Sequence, residues 1–409
     1  MNKKVMAIAV AGVLAAPASV ALAQTSTVQI GGSITAFYYK HSPKNSTVGQ
    51  STDIMETSEP QLFFRGEEKL GGGLSVWFQC TSSMDGMMSG SASAEGWCAR
   101  NGGIGFKGSW GNLFVGNWDQ PQKIVFNAGR GWWGGTNGFN GGSAILLTGG
   151  SASGAPNPPG TAAGNGAFFR RQARSMNYHS PSWNGFTMLA SFSSGTEQTG
   201  IPETSTMSPR MYSLAGQYRS GPLYVGAAYE NHSDYNPASQ AIGTAAAAYS
   251  GGTDTNWTLV AGYTFAGVFN LRGMYSKSDY DTTNTTSLDV DGWGLFADWK
   301  IQGPHTLRFS YVDVDSPGGS SAVNVGSYKG PLGAGCAGGT GVSTVSCASG
   351  TGAKHWGLAY SYSFSKRTMG TLAYVAMDNE TNATFSKGKV AASSGNKQTS
   401  AGVILQHRF

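Results

Sequence analysis

Five cations gather in one stretch of the chain with no acid among them. Between Asp119 and Glu197 the sequence contains Lys123, Arg130, Arg170, Arg171 and Arg174, and neither aspartate nor glutamate. Such charge has two uses. Lining a narrow, partly dehydrated passage, it raises the local anion concentration and repels cations. Against a surface, the same arginines bind phosphates or the carboxylates of a facing wall. Further basic positions recur elsewhere at Arg65, Arg219, Arg272 and Arg308, with Lys107, Lys300, Glu67, Glu230 and Asp298 in comparable contexts. Which use applies depends on the elements that hold these residues.

Other residue types that carry chemistry are scattered. His41, His179, His232, His305, His355 and His407 show no metal-ligand spacing such as H-E-x-x-H, so no metal site is expected. Asp289-Val290-Asp291 and Asp313-Val314-Asp315 each offer two carboxylates without the remaining ligands of a calcium loop. Gly103-Ile104-Gly105-Phe106-Lys107-Gly108 matches G-x-G-x-x-G, but no helical pattern follows it, and nucleotide binding requires the helix. No G-x-S-x-G elbow occurs, so no catalytic residue is assigned and no cofactor is expected. The four cysteines, Cys80, Cys98, Cys336 and Cys347, suit an exported protein in which disulfides persist. Four cysteines allow three pairings, and neighbourhood in sequence favours Cys80 with Cys98 and Cys336 with Cys347.

The elements behind these residues are strands. Val28, Ile30, Ile34, Ala36 and Tyr38 alternate with small or polar residues, as do Trp257, Leu259, Ala261, Tyr263 and Phe265, and Trp356, Leu358, Tyr360, Tyr362 and Phe364. Period two with one apolar set is the pattern of a sheet whose two faces meet different surroundings. Tight turns are expected at Lys69–Gly73, Gly108–Gly111, Ser182–Gly185, Ser220–Pro222, Ala266–Gly267, Gln302–Pro304 and Ser365–Arg367, alternating with long loops rich in Gly, Ser, Thr and Asn. Seven hairpins plus a first and a last strand predict sixteen strands. The fold class is therefore all-β, a sixteen-stranded antiparallel transmembrane barrel. Aromatic groups such as Phe37 to Tyr39, Trp77 and Phe78, and Trp293, Phe296 and Trp299 are assigned to interfacial girdles. Strand parity sets Arg65, Glu67, Lys107, Arg219, Glu230, Arg272, Asp298, Lys300 and Arg308 opposite the apolar set, toward the lumen. A charge on the lipid face near the midplane would cost about 2 to 4 kcal/mol. Arg65, Arg272 and Arg308 are the expected basic ladder of the wall.

Composition agrees. The chain has 61 glycines, 11% aromatic residues and only 12% charged residues, where a soluble domain carries about 25%. Lys3 and Lys4 precede an apolar run from Val5 to Leu14 and an Ala21-Leu22-Ala23 motif, which predicts a signal peptide over 1–23 and a barrel domain over 24–409. Without the two lysines the formal charge falls from +5 to +3. With no long basic run, nucleic-acid binding is not expected. The last residues, Gln398 to Phe409, alternate up to a terminal phenylalanine, as a final strand would if it closed on the first.

Three stretches carry a family resemblance: Ser58-Glu59-Pro60-Gln61-Leu62-Phe63-Phe64-Arg65-Gly66 through Gln79, Gly105 through Asn117, and His355 through Thr368, together with Gln406-His407-Arg408-Phe409. They resemble the hairpins of Gram-negative general porins of the proteobacterial type. The resemblance implies a homotrimeric barrel in the outer membrane, both termini periplasmic, that lets small hydrophilic solutes and ions diffuse passively. It implies that the third extracellular loop, here Trp118 to Arg174, folds into the lumen and narrows it. Family pores more often set acidic loop residues against an arginine wall, and the acid-free loop here departs from that in the direction of anion preference. Phe409 resembles the signal read by the barrel-assembly machinery. Lipid and lipopolysaccharide are the other implied partners. Two further readings are a channel specific for one anionic solute and an outer-membrane barrel enzyme.

Overall fold

Alternating side chains become sixteen crossing strands in the computed structural model, which describes residues 27–45, 50–58, 60–84, 86–89, 97–135, 147, 168–194, 210–234, 252–322, 324–325, 328–332, 349–386 and 393–409. The strands are β1 (Thr27–Lys44), β2 in two pieces (Thr52–Thr57 and Gln61–Gly71), β3 (Leu74–Ser83), β4 (Gly102–Gly108), β5 (Gly111–Asp119), β6 (Arg171–His179), β7 (Phe186–Ser193) and β8 (Arg210–Ser220). They continue with β9 (Leu223–Ser233), β10 (Thr253–Phe265), β11 (Phe269–Thr283), β12 (Thr286–Lys300), β13 (His305–Val314), β14 (Ala353–Ser363), β15 (Thr368–Asn379) and β16 (Lys397–Arg408). Each pairs antiparallel with its sequence neighbours. Gly318–Gly319 adds a short rung beside β12, beyond the end of β13.

The sheet closes on itself. β1 pairs with β16 from Ser33 opposite Arg408 to Lys44 opposite Lys397. The seam reaches the last residue, because Gly32 donates to the Phe409 carbonyl at 3.0 Å and Phe409 donates back to Gly32 at 3.1 Å. No edge is left unpaired at this junction, which matters where lipid offers no hydrogen bonds. All seven tight turns fall at the expected places, and both described chain ends lie with them. No helix among the described residues is long and apolar enough to cross a membrane, so a crossing is made by strands.

The outer face carries the apolar set. Trp257, Leu259, Tyr263, Trp356 and Leu358 are exposed, while Thr258, Val260 and Gly357 between them are buried. Several girdle assignments need correction. Phe37, Tyr39 and Phe296 are almost completely buried inside the barrel, and only Tyr38 of the first group is exposed. Trp77 turns inward too, into a ring cluster with Phe114 and Trp118.

The chain that leaves β5 turns into the interior. Its helix α1 (Pro121–Arg130) starts at a proline, whose missing N–H would lack a helical partner anyway. It stops at Gly131, where φ of 58° is left-handed and the backbone N–H bonds back to Asn127. A single 3-10 turn, Gly131–Gly135, follows. Val125 and Phe126 are buried on one side of α1, which packs against β8 to β11. At its start, Gln122 donates its backbone N–H to Ser213 at 3.1 Å and its amide to Thr258 at 2.7 Å and to Asn256. At its end, Trp133 is wholly buried and donates from Nε1 to the Phe309 carbonyl at 3.2 Å. Val125, Phe126 and Trp133 each contribute about 1.5 to 3 kcal/mol by this burial.

The seat of Trp133 is Gly357 on β14, where a side chain would lie 2.9 Å from the indole. Gly357→Val is therefore expected to dislodge the infolded segment without opening the barrel. Single-channel conductance should rise severalfold above the unmodified pore while the folded band in gels persists; an unchanged conductance would show that Trp133 does not hold the segment.

Candidate functional site

Two cavities open on the lumenal surface near the short turns. The larger, about 380 Å³, lies between α1 and the wall from β8 to β13 and is lined by Trp132, Arg219, Tyr224, Arg272, Lys300 and Arg308, among others. Asp298 is its one carboxylate, and two guanidiniums share it. Arg272 Nη2 lies 2.6 Å from Oδ2, and Arg308 Nε lies 3.1 Å from Oδ1. Arg272 also donates from Nε to the Gly129 carbonyl at 3.0 Å, so the wall grips the end of α1. Arg308 stacks on Trp132 at 4.6 Å from the ring centre, and Trp132 Nε1 donates to Gln406 at 2.8 Å. Arg219 lies over the Tyr224 ring at 4.1 Å. Among the described residues no carboxylate pairs with Arg219 or Lys300. Cation–ring stacking stabilises a guanidinium without neutralising it.

The second cavity, about 350 Å³, lies on the wall from β1 to β5 and includes Gln29, Arg65, Glu67, Trp77, Lys107 and Asn112. Lys107 pairs with Glu67. Arg65 is exposed, donates from Nε to Gln29 at 2.8 Å and lies 5.2 Å from the Phe63 ring centre. The ladder expected from Arg65, Arg272 and Arg308 thus divides. Arg65 stands in one cavity, whereas Arg272 and Arg308 form a triad with Asp298 in the other.

The cations of the infolded segment are placed differently from the expectation of a free positive loop. Asp119, the last residue of β5, holds Lys123 at 2.8 Å and Arg171 at 3.3 Å. Arg171 donates to Asn101 as well, at 2.6 Å. Arg130 is buried against Phe126, 5.1 Å from the ring centre, with Nη2 on the Trp133 carbonyl at 3.3 Å. Arg170 is partly buried where the segment returns to the wall, and its carbonyl accepts from Gln120 at 3.2 Å. Arg174 is exposed at φ of 52° beside the irregular register between β5 and β6. Asp119 bounds the acid-free stretch in sequence, and its single carboxylate pairs with two of the five cations. The segment itself spans 120–170, because Trp118, Asp119 and the residues from Arg171 belong to strands.

Arg408 is the basic residue that motif reading missed. It shares the parity of buried Ile404 and of Gln406, which bonds to Trp132, and it lines a third lumenal cavity with Ser33 and Gln61. The signal was the same parity that placed the other wall cations. Cys80 and Cys98 are joined in a disulfide with Cα atoms 4.7 Å apart, which ties the end of β3 to the chain entering β4. Cys336 and Cys347 lie outside the described residues. No group of three His, Cys, Asp or Glu side chains that could hold a metal occurs among the described residues. The buried Glu230 meets His232 at 3.0 Å.

Asp298 is the shared counter-ion of the larger cavity. Asp298→Asn should leave two guanidiniums facing each other in a partly buried site and lower stability by roughly 1 to 3 kcal/mol. Heat-modifiability in detergent should show unfolding at a lower temperature, whereas an unshifted transition would mean that the triad contributes no net stability.

A family model described as Gram-negative porin matches residues 7–382. None of the curated proteins matches the sequence. Among solved structures, the fold is similar to the anion-selective porin from Comamonas acidovorans, with a TM-score of 0.67 and 18% identity over 94% of this chain and 100% of that one. It is also similar to the outer-membrane protein OmpT of Vibrio cholerae in its trimer form, with a TM-score of 0.60 and 13% identity over 94% and 100% of the two chains. A third likeness is to Salmonella typhi OmpF in complex with daunomycin, with a TM-score of 0.56 and 13% identity over 93% and 97%. The chain belongs to the Gram-negative porin family, and its barrel is an outer-membrane channel.

Proposed function

We propose that the channel passes small hydrophilic solutes by diffusion and prefers anions. One observation carries the preference: lumen-facing Arg219 and Lys300 have no carboxylate partner among the described residues, while Asp298 is already shared by Arg272 and Arg308. Fixed positive charge beside a passage narrowed by α1 attracts anions and excludes cations. The preference thus comes from the wall, with Arg65 adding to it, while Lys123, Arg130 and Arg171 are engaged by Asp119, Asn101, Phe126 and the Trp133 carbonyl around the infolded segment. The Comamonas porin that this barrel resembles is itself anion-selective.

The rest of the assignment belongs to the same reading. Residues 1–23 act as a cleaved signal peptide, and residues 24–409 form the barrel. Three copies assemble in the outer membrane among lipid and lipopolysaccharide, as the trimer form of the Vibrio protein is consistent with. Phe409, paired at the closing seam, serves as the assembly signal.

Neutralising the wall tests the preference. Arg219→Gln with Lys300→Gln should lower the chloride-to-potassium permeability ratio by about 2- to 5-fold, a change that screening reduces as salt rises. Uptake of an uncharged sugar into liposomes should stay near the unmodified rate. A permeability ratio that does not move would remove the wall from the account and return the question to the infolded segment.

A further inference from the structure

Hydrogen bonds inside the smaller lumenal cavity fix which way its polar groups point. Gln29, Arg65, Glu67, Trp77, Lys107 and Asn112 line it, on five consecutive strands from β1 to β5. Arg65 lies opposite Gln29, Glu67 opposite Trp77, and Lys107 opposite Asn112, so these side chains adjoin across neighbouring strands. Arginine and tryptophan side chains only donate. Arg65 Nε donates to Gln29 Oε1 at 2.8 Å, and Trp77 Nε1 donates to Asn112 Oδ1 at 2.6 Å. Both amides are thereby oriented by their partners, with the oxygen held by a neighbour and the NH2 group left over.

Donors are consequently in surplus. Gln29 Nε2, the two Nη groups of Arg65 and Asn112 Nδ2 have no hydrogen-bond partner among the described residues. Lys107 Nζ carries three donors and meets Glu67 alone. That pair offsets the carboxylate of Glu67, so the charge of Arg65 stands in excess. Gln79, also in the lining, is the exception among the amides, since its nitrogen is committed to Thr81 at 3.1 Å and to the Asn101 carbonyl at 3.3 Å. Gln29 and Arg65 are exposed and Lys107 and Asn112 half-buried, so all four reach water in the cavity of about 350 Å³.

We infer that this cavity is a binding subsite for small oxyanions, meaning anions with several acceptor oxygens on one centre, and that it favours them over chloride. The inference rests on the diffusion of small solutes proposed above and adds a place, on a different wall from Arg219 and Lys300, where one class of them is held. A guanidinium fork and two amide NH2 groups match oxygens set apart on one centre, because each donor then finds its own acceptor and the bonds from Arg65 are charge-assisted. Chloride offers a single atom, on which the same donors would have to converge. Amides anchored through their own oxygens, on β1 and β5, are not free to do so. An oxyanion seated here offsets the charge of Arg65 and lowers the chloride current past it.

The test is single-channel current in about 0.1 M potassium chloride while potassium sulfate is added. Sulfate should lower the current saturably, with half the effect at about 1 to 10 mM, whereas potassium bromide at the same concentrations should not. Gln29→Leu combined with Asn112→Leu removes donors and leaves every charge in place. It should raise the half-saturating sulfate concentration by about 5-fold or more. The chloride-to-potassium permeability ratio should hold, which also shows the pore to be intact. Arg65→Gln should abolish the saturable component. No saturable effect of sulfate in a pore that still prefers anions overturns the subsite alone, and so does a half-saturating concentration that the double variant leaves unmoved. A pore that holds sulfate in this donor-dependent way without preferring chloride to potassium keeps the subsite and overturns the preference proposed above.

Discussion

A chain that crosses lipid must satisfy every backbone N–H and C=O from within, because the hydrocarbon supplies no partners. For strands, the solution is closure. Here it is reached by pairing β1 with β16 as far as the terminal residue, where Gly32 and Phe409 exchange backbone hydrogen bonds. Closure forces alternation, since each strand shows one face to lipid and the other to the lumen. Placement of Arg219, Arg272, Lys300, Arg308 and Arg408 on the water side follows from that constraint, and so does the exposure of Trp257, Leu259 and Leu358 on the other.

A closed cylinder of sixteen strands is too wide to be filled by its own side chains. The segment after β5 narrows it, and its fixation mixes two kinds of interaction. Val125, Phe126 and Trp133 bury apolar surface against the wall, while Gln122 and Arg272 lock the two ends of α1 through hydrogen bonds. Arg272 links positioning to electrostatics, because the guanidinium that grips Gly129 also shares Asp298 with Arg308. Charge that takes part in holding the segment is partly offset, with one carboxylate shared by two cations at Asp119 and again at Asp298. Charge that takes no part, at Arg219 and Lys300, remains available to permeating ions.

Strands, turns and facing were legible in the sequence because each is a local property. Period two assigns a side to every wall residue, and Gly-rich turns such as Ser182–Gly185 mark the hairpins. Pairing across strands was not legible. Asp298 and its two arginines come from β11, β12 and β13, and nothing in their spacing shows that one carboxylate lies between them. Asp119 reads as the edge of an acid-free stretch, but the return of the chain at Arg171 brings that cation back to it. Phe37 and Tyr39 have the opposite parity to Tyr38, so the alternation itself turns them inward, and aromatic identity alone does not place a side chain at the membrane interface.

In the proposed function, unpaired cations on the wall, more than those of the infolded segment, set which ions the channel admits. Reversal potential in a planar bilayer under a potassium chloride gradient reads that most directly. The expected potential has the sign of chloride permeation and shrinks as the salt concentration on both sides is raised and the fixed charge is screened. A potential with the sign of potassium permeation would contradict it.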